Sequence, residues 1–150
     1  MKTSILTLST LMLAFLTFGT DASAQKKVKD KVLANKVFVV ELSETTNKKV
    51  GKTVTEEISF KSEKLNSKTM TSQNHFPAAL YEVTDVDTSS TPATISFTSE
   101  GKNQDGEDVK WEGTVTGPDI EGTAIISRKG KTKKEYAYTG SLKSKGPAKK

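Results

Sequence analysis

The stretch Trp111-Glu112-Gly113-Thr114-Val115-Thr116, Gly117-Pro118-Asp119, Ile120-Glu121-Gly122-Thr123 sets apolar and small residues in strict alternation with polar ones on both sides of a reversal. Trp111, Gly113 and Val115 share one face; Ile120, Gly122 and Ala124 share the matching face of the next segment. A period of two is the mark of a half-buried strand, and a Gly-Pro-Asp turn joins two such strands antiparallel. Gly113, Gly122 and, further on, Gly140 (between Tyr138 and Leu142) stand where side chains would otherwise enter the core. Glycine in a strand forfeits packing and backbone entropy, so these positions need a reason. Either the sheet coils tightly, with aromatic neighbours covering the gaps, or the interior is left partly open for a ligand.

The same period runs outward in both directions. Lys36 to Leu42 places Phe38, Val40 and Leu42 together; Thr53 to Lys61 places Val54, Glu56, Ile58 and Phe60 together. Leu65 to Ser72 is polar on both faces and reads as a weak or edge strand. Ala79 to Asp85 offers Tyr81 and Val83, and Thr94 to Glu100 offers Ile95 and Phe97. With Val109–Thr116, Ile120–Arg128 and Glu135–Leu142 this makes eight strands, and no stretch has a helical period. Turn chemistry separates them: Asn47 to Gly51, Asp85 to Pro92, the Asp105-Gly106 pair, Gly117-Pro118-Asp119, and Lys129-Gly130-Lys131. Short connections force sequence neighbours to pair antiparallel. The expected fold is all-β, an up-and-down meander closing into a barrel, which removes exposed edges. A β-sandwich is the alternative.

The hairpin quoted first, together with Glu135-Tyr136-Ala137-Tyr138-Thr139-Gly140, resembles small exported bacterial β-barrel proteins of the lipocalin-like (calycin) type. In those a W-x-G-x-V-x-G-x-x-I-x-G hairpin and a final aromatic-x-Gly strand recur. The resemblance covers about the last third of the chain and implies the barrel; it carries over no functional residue. The chain has neither a Gly-x-Trp first strand nor a disulfide.

At the other end, Lys2 precedes an apolar run from Ile5 to Phe18, and Ala22-Ser23-Ala24 supplies the small-x-small pattern of a cleavage site. Residues 1–24 therefore read as a signal peptide, too short for a retained membrane span. Residues 25–35, rich in lysine, read as a flexible leader, residues 36–143 as the barrel domain and residues 144–150 as a basic tail. The expected destination is the periplasm or the exterior, with no stable membrane insertion. The 150-residue chain contains no cysteine, so a packed core rather than disulfides must hold the domain. A net charge of +5 with both signs interspersed favours solubility and gives no dedicated nucleic-acid surface.

Candidate chemistry is sparse. Asn103, Asp105, Gly106 and Glu112 match four places of a calcium loop, but Gly101 stands at the first ligand position and the flanks are strands. An acidic hairpin tip is the better reading. His75 is the sole histidine, which excludes multi-histidine metal sites. It reads as a surface loop residue. Glu56 shares its face with Ile58 and Phe60; it either sits exposed at the rim or orients a polar ligand group. The run Arg128 to Lys134 crosses a hairpin tip and reads as a solvated turn that blocks edge pairing. No acid, base and nucleophile come together, so no enzyme and no cofactor are expected. The expected function is non-catalytic binding of a small apolar or amphipathic ligand inside the barrel. Trp111, Phe97, Tyr81, Tyr138 and Glu56 would line that site. A solidly packed barrel acting as a structural or protein-interaction module is the alternative.

Overall fold

A computed structural model describes residues 31–46 and 50–144. The signal peptide, most of the leader and nearly all of the basic tail lie outside the described residues. Eight antiparallel strands form one closed meander: β1 (Val37–Glu44), β2 (Thr53–Lys61), β3 (Lys64–Ser67), β4 (Ala79–Asp87), β5 (Thr94–Lys102), β6 (Glu107–Thr116), β7 (Asp119–Arg128) and β8 (Lys131–Leu142). Closure comes from β1 pairing with β8, from Phe38 opposite Leu142 to Glu44 opposite Tyr136. The sheet is thus a barrel and not a sandwich.

The expected alternation sets the register. Phe38, Val40 and Leu42 of β1, Ile58 and Phe60 of β2, and Val109, Trp111 and Val115 of β6 are buried, as are Ile120, Ala124 and Ile126 of β7 and Tyr136 and Tyr138 of β8. The turns carry the backbone that hairpins require. Gly117 (φ 59) opens the two-residue turn between Thr116 and Asp119, and Lys129-Gly130 (φ 50 and 74) joins Arg128 to Lys131.

One element departs from the reading of the sequence. The polar stretch expected as a strand from Leu65 to Ser72 is a strand only to Ser67; Lys68–Asn74 forms a helix, α1. Four of its seven residues, Thr69, Thr71, Ser72 and Asn74, are poor helix formers, and its first turn holds no acidic side chain. The helix exists because of its ends. Ser67 caps it, its hydroxyl accepting from the Met70 N–H at 3.2 Å, and His75 ends it in the left-handed region at φ 58. Met70 and Phe76, both about 2 % exposed, turn inward and close this end of the barrel. At the opposite end the chain ahead of β1 does the same: Leu33 is fully buried, and the Asn35 N–H bonds the Phe60 carbonyl at 2.7 Å.

The glycines of β6, β7 and β8 mark close approach. Gly113 and Gly122 stand directly opposite each other, flanked in the same row by Phe97 and Tyr138. A Cβ on Gly113 would run into the Tyr138 hydroxyl and come within 2.8 Å of Phe97 and of the Glu121 carbonyl. A Cβ on Gly122 would meet the Glu112 carbonyl and the same hydroxyl; one on Gly140 would meet the backbone of Val39 and Val40. The phenol of Tyr138 reaches across both glycines and donates to the Glu112 carbonyl at 3.1 Å. Burial pushes this phenol above its ordinary value of 10, so it remains a neutral donor. Tight coiling covered by an aromatic ring is the arrangement found at this pair.

Gly122→Ala is expected to destabilise the barrel by about 1–3 kcal/mol through overpacking, and Tyr138→Phe by about 1 kcal/mol through the lost hydrogen bond. Urea unfolding with an unchanged slope would report both, and a neutral Gly122→Ala would contradict the packing described.

Candidate functional site

Of the five residues expected to line an interior site, Phe97, Trp111 and Tyr138 come together in the core with Tyr81 at its margin, while Glu56 turns to α1. Phe97, Trp111 and Tyr138 are each within 3 % of complete burial, and their rings pack against other rings. Phe60 meets Phe38, Tyr81 and Phe97 edge-on, at centroid distances of 6.0, 4.9 and 5.0 Å. Trp111 lies 5.5 Å from Tyr138 at a tilt of 58°. Tyr81 is half-buried at the margin of this cluster. Phe60 was read from the sequence only as one of the inward residues of β2, yet it is the hub. Its position at the end of an alternating strand was the one signal available.

Glu56 is not exposed at the rim. It is 6 % exposed, and its two oxygens serve α1. One accepts from the Ser67 hydroxyl at 2.7 Å and the other from the Thr69 N–H at 2.7 Å. Glu56 thus places, from β2, the negative charge that the first turn of α1 lacks. Rim exposure was the wrong expectation because the helix was not foreseen, and with it the donors. The other buried polar groups are satisfied in the same way: the Ser99 hydroxyl donates to the Leu80 carbonyl at 2.8 Å. Among the described residues no buried side-chain nitrogen or oxygen lacks a partner.

The partial calcium pattern resolves as a hairpin tip tied to α1. The side-chain Oδ1 of Asn103 accepts from the Asp105 and Glu107 N–H groups at 3.0 and 2.9 Å. Its amide nitrogen donates to the Asn74 carbonyl at 3.0 Å and to Glu107 at 3.2 Å. Asn103 is therefore a tether between the β5–β6 tip and the end of α1. The ammonium of Lys133 also binds Glu107 and, with Asn103, holds its carboxyl below the ordinary 4.5. No cluster of three or more potential metal ligands occurs among the described residues. His75 is exposed at the end of α1.

Two open concavities lie along the wall. The larger, about 910 Å³, is a saddle over β4 to β8 and β1. Hydroxyls of Ser96, Thr98, Thr114, Thr123 and Thr139 line it, with Glu41, Glu112 and Glu121 among them, and Gly113, Gly122 and two of the expected site residues, Phe97 and Tyr138, at its floor. Lys110 pairs with Glu112 at 2.7 Å across half-exposed side chains, an ion pair of little energetic weight in solvent. The smaller, about 440 Å³, adjoins Lys102, Asp108 and Ser127. Comparison with protein-family models, curated proteins and solved structures gave no match. No helix among the described residues is long and apolar enough to cross a membrane.

Glu56→Ala should leave two donors unsatisfied at the start of α1 and destabilise by about 2 kcal/mol or more, with faster exchange of the Thr69 amide. A ligand-orienting role would leave stability unchanged. Glu107 should titrate below 4.5; a depressed carboxyl stabilises at neutral pH, and that contribution fades as pH falls through its folded pKa. Lys133→Ala should move the Glu107 midpoint upward in an NMR titration.

Proposed function

We propose that this chain is an exported, non-catalytic binding module of lipocalin-like type that meets its partners through its outer surface, with the barrel interior serving as a solid core. The observation that carries this reading is the occupancy of the interior by the chain's own side chains. Phe38, Ile58, Phe60, Val115 and Ile120 are at most 1 % exposed, and Phe60 holds three rings edge-on around it. An apolar guest would have to separate rings whose pairwise contacts are each worth about 0.5–1.5 kcal/mol beyond burial. The polar interior supports the same view. A site built to orient a ligand keeps polar groups in reserve, whereas Glu56, Ser67, Ser99 and Tyr138 spend theirs on the chain itself.

Export is part of the proposal and rests on the pattern of Lys2, the Ile5 to Phe18 run and Ala22-Ser23-Ala24. The absence of catalysis rests on the setting of the titratable groups: Glu56 is committed to α1, and His75 faces solvent at its end.

A fluorescent apolar probe such as an anilinonaphthalene sulfonate distinguishes interior from surface binding. The expected result is no saturable uptake and no change in Trp111 emission. Stoichiometric uptake that quenches Trp111, and is lost in Trp111→Ala, would overturn the solid-core reading and restore the interior ligand.

A further inference from the structure

The barrel is closed by pairing, but one strand is covered along only part of its length. The β2–β3 hairpin turns at Ser62-Glu63, both left-handed with φ 51 and 61, and β3 meets β4 at just two positions, Lys64 opposite Leu80 and Leu65 opposite Ala79. Beyond them β4 outruns the hairpin. Its residues Glu82 to Asp87 pair with β5 on one side and with no strand on the other among the described residues. Residues Thr84 to Asp87 are all exposed. The expectation that closure removes every edge therefore fails here, because the hairpin next to β4 is too short to cover it.

We propose that this edge of β4 accepts an extended, lysine-bearing segment of a partner protein as an added strand. Main-chain groups of an unpaired strand bind an incoming strand with little regard to its sequence; the side chains of the edge then select it. Glu82, Asp85 and Asp87 line this edge, and no Lys or Arg among the described residues forms an ion pair with any of them. Asp87 accepts from the Ser89 N–H at 2.8 Å, and its hydrogen bonds to Ser89 keep it charged. Val86, 44 % exposed, offers an apolar contact on the edge, and Leu80, 54 % exposed, offers another just before it, where β3 still pairs. The preferred strand alternates lysine with apolar residues.

The same features refuse a second copy. Two β4 edges brought together would set carboxylates against carboxylates. The register shift between Val83 and Asp85 adds a bulge, a common guard against self-pairing. A cationic strand escapes the charge penalty and meets the bulge only at its centre. The inference rests on the reading of the chain as a surface-binding module and names one surface and the partner that fits it.

Amide hydrogen exchange on the full protein provides the test, with an alternating Lys–Val octapeptide as probe and a Glu–Val octapeptide as control. The Lys–Val peptide should slow exchange at least tenfold at the β4 amides directed away from β5, saturably, and less at 0.5 M salt. The Glu–Val peptide should not. The double variant Glu82→Lys, Asp85→Lys should lose the protection while keeping its unfolding midpoint, since both side chains are exposed. Equal protection by the two peptides, or none by either, would overturn the proposal. Protection already present without peptide would also overturn it, assigning the edge to another part of this chain, or to a second copy if it grows with protein concentration. Failure of the solid-core reading appears separately, as probe uptake at Trp111.

Discussion

The barrel depends on the contact between Tyr138 and the facing pair Gly113 and Gly122. A sheet of only eight strands must coil sharply to close, and a sharp coil brings the inward Cβ positions of neighbouring strands close together. Two opposed glycines remove the clash but leave a gap in the core. The Tyr138 ring fills that gap from the next strand, and its hydroxyl bonds the Glu112 carbonyl between them. With this row fixed, Phe97 and Trp111 have one place to pack, and Phe60 is held against Phe97. Curvature, closure and the filled interior are thus one constraint seen from three sides.

Much of this was legible in local sequence because the determinants are local. The Trp111 to Thr123 hairpin shows its inward face, its turn and its glycines within a few residues of one another, and pairing with β5 and β8 follows from short connections. The reading that aromatics cover the glycines could be stated but not decided. Which ring does so depends on β8, some twenty residues away. The helix α1 was not legible for a sharper reason. Its seven residues are divided between good and poor helix formers, and the group that supports it, Glu56, lies eleven residues before the cap Ser67 and thirteen before Thr69. No periodicity within residues 65–72 could reveal a charge supplied from another strand.

Glu56 shows how a buried polar residue among apolar neighbours can mislead. Seen along β2 it resembles a ligand-orienting carboxylate, because a charge facing a core is costly unless something answers it. Here the answer is the open end of a helix and a serine hydroxyl. Asn103 repeats the pattern: its place in a calcium-like spacing reflects a side chain that fastens a hairpin tip to the far end of the same helix. Both residues that looked most like chemistry hold α1 over one mouth of the barrel, one at each of its ends.

That division of labour bears on where binding energy is to be found. With one end closed by α1 and Phe76 and the other by Leu33, the aromatic hub is sealed on both sides. Its polar groups are consumed by the fold. What the fold leaves open is a hydroxyl-lined saddle over β4 to β8 and β1, and the stretch of β4 that the β2–β3 hairpin is too short to reach. Of these, the saddle offers polar groups that are in part already engaged, the Thr98 hydroxyl with the Trp111 carbonyl and Lys110 with Glu112. The edge offers main-chain donors and acceptors spaced to match another strand, with carboxylates alongside to choose its charge. In a packed barrel with one incomplete seam, the seam is where main-chain hydrogen bonds remain to be made.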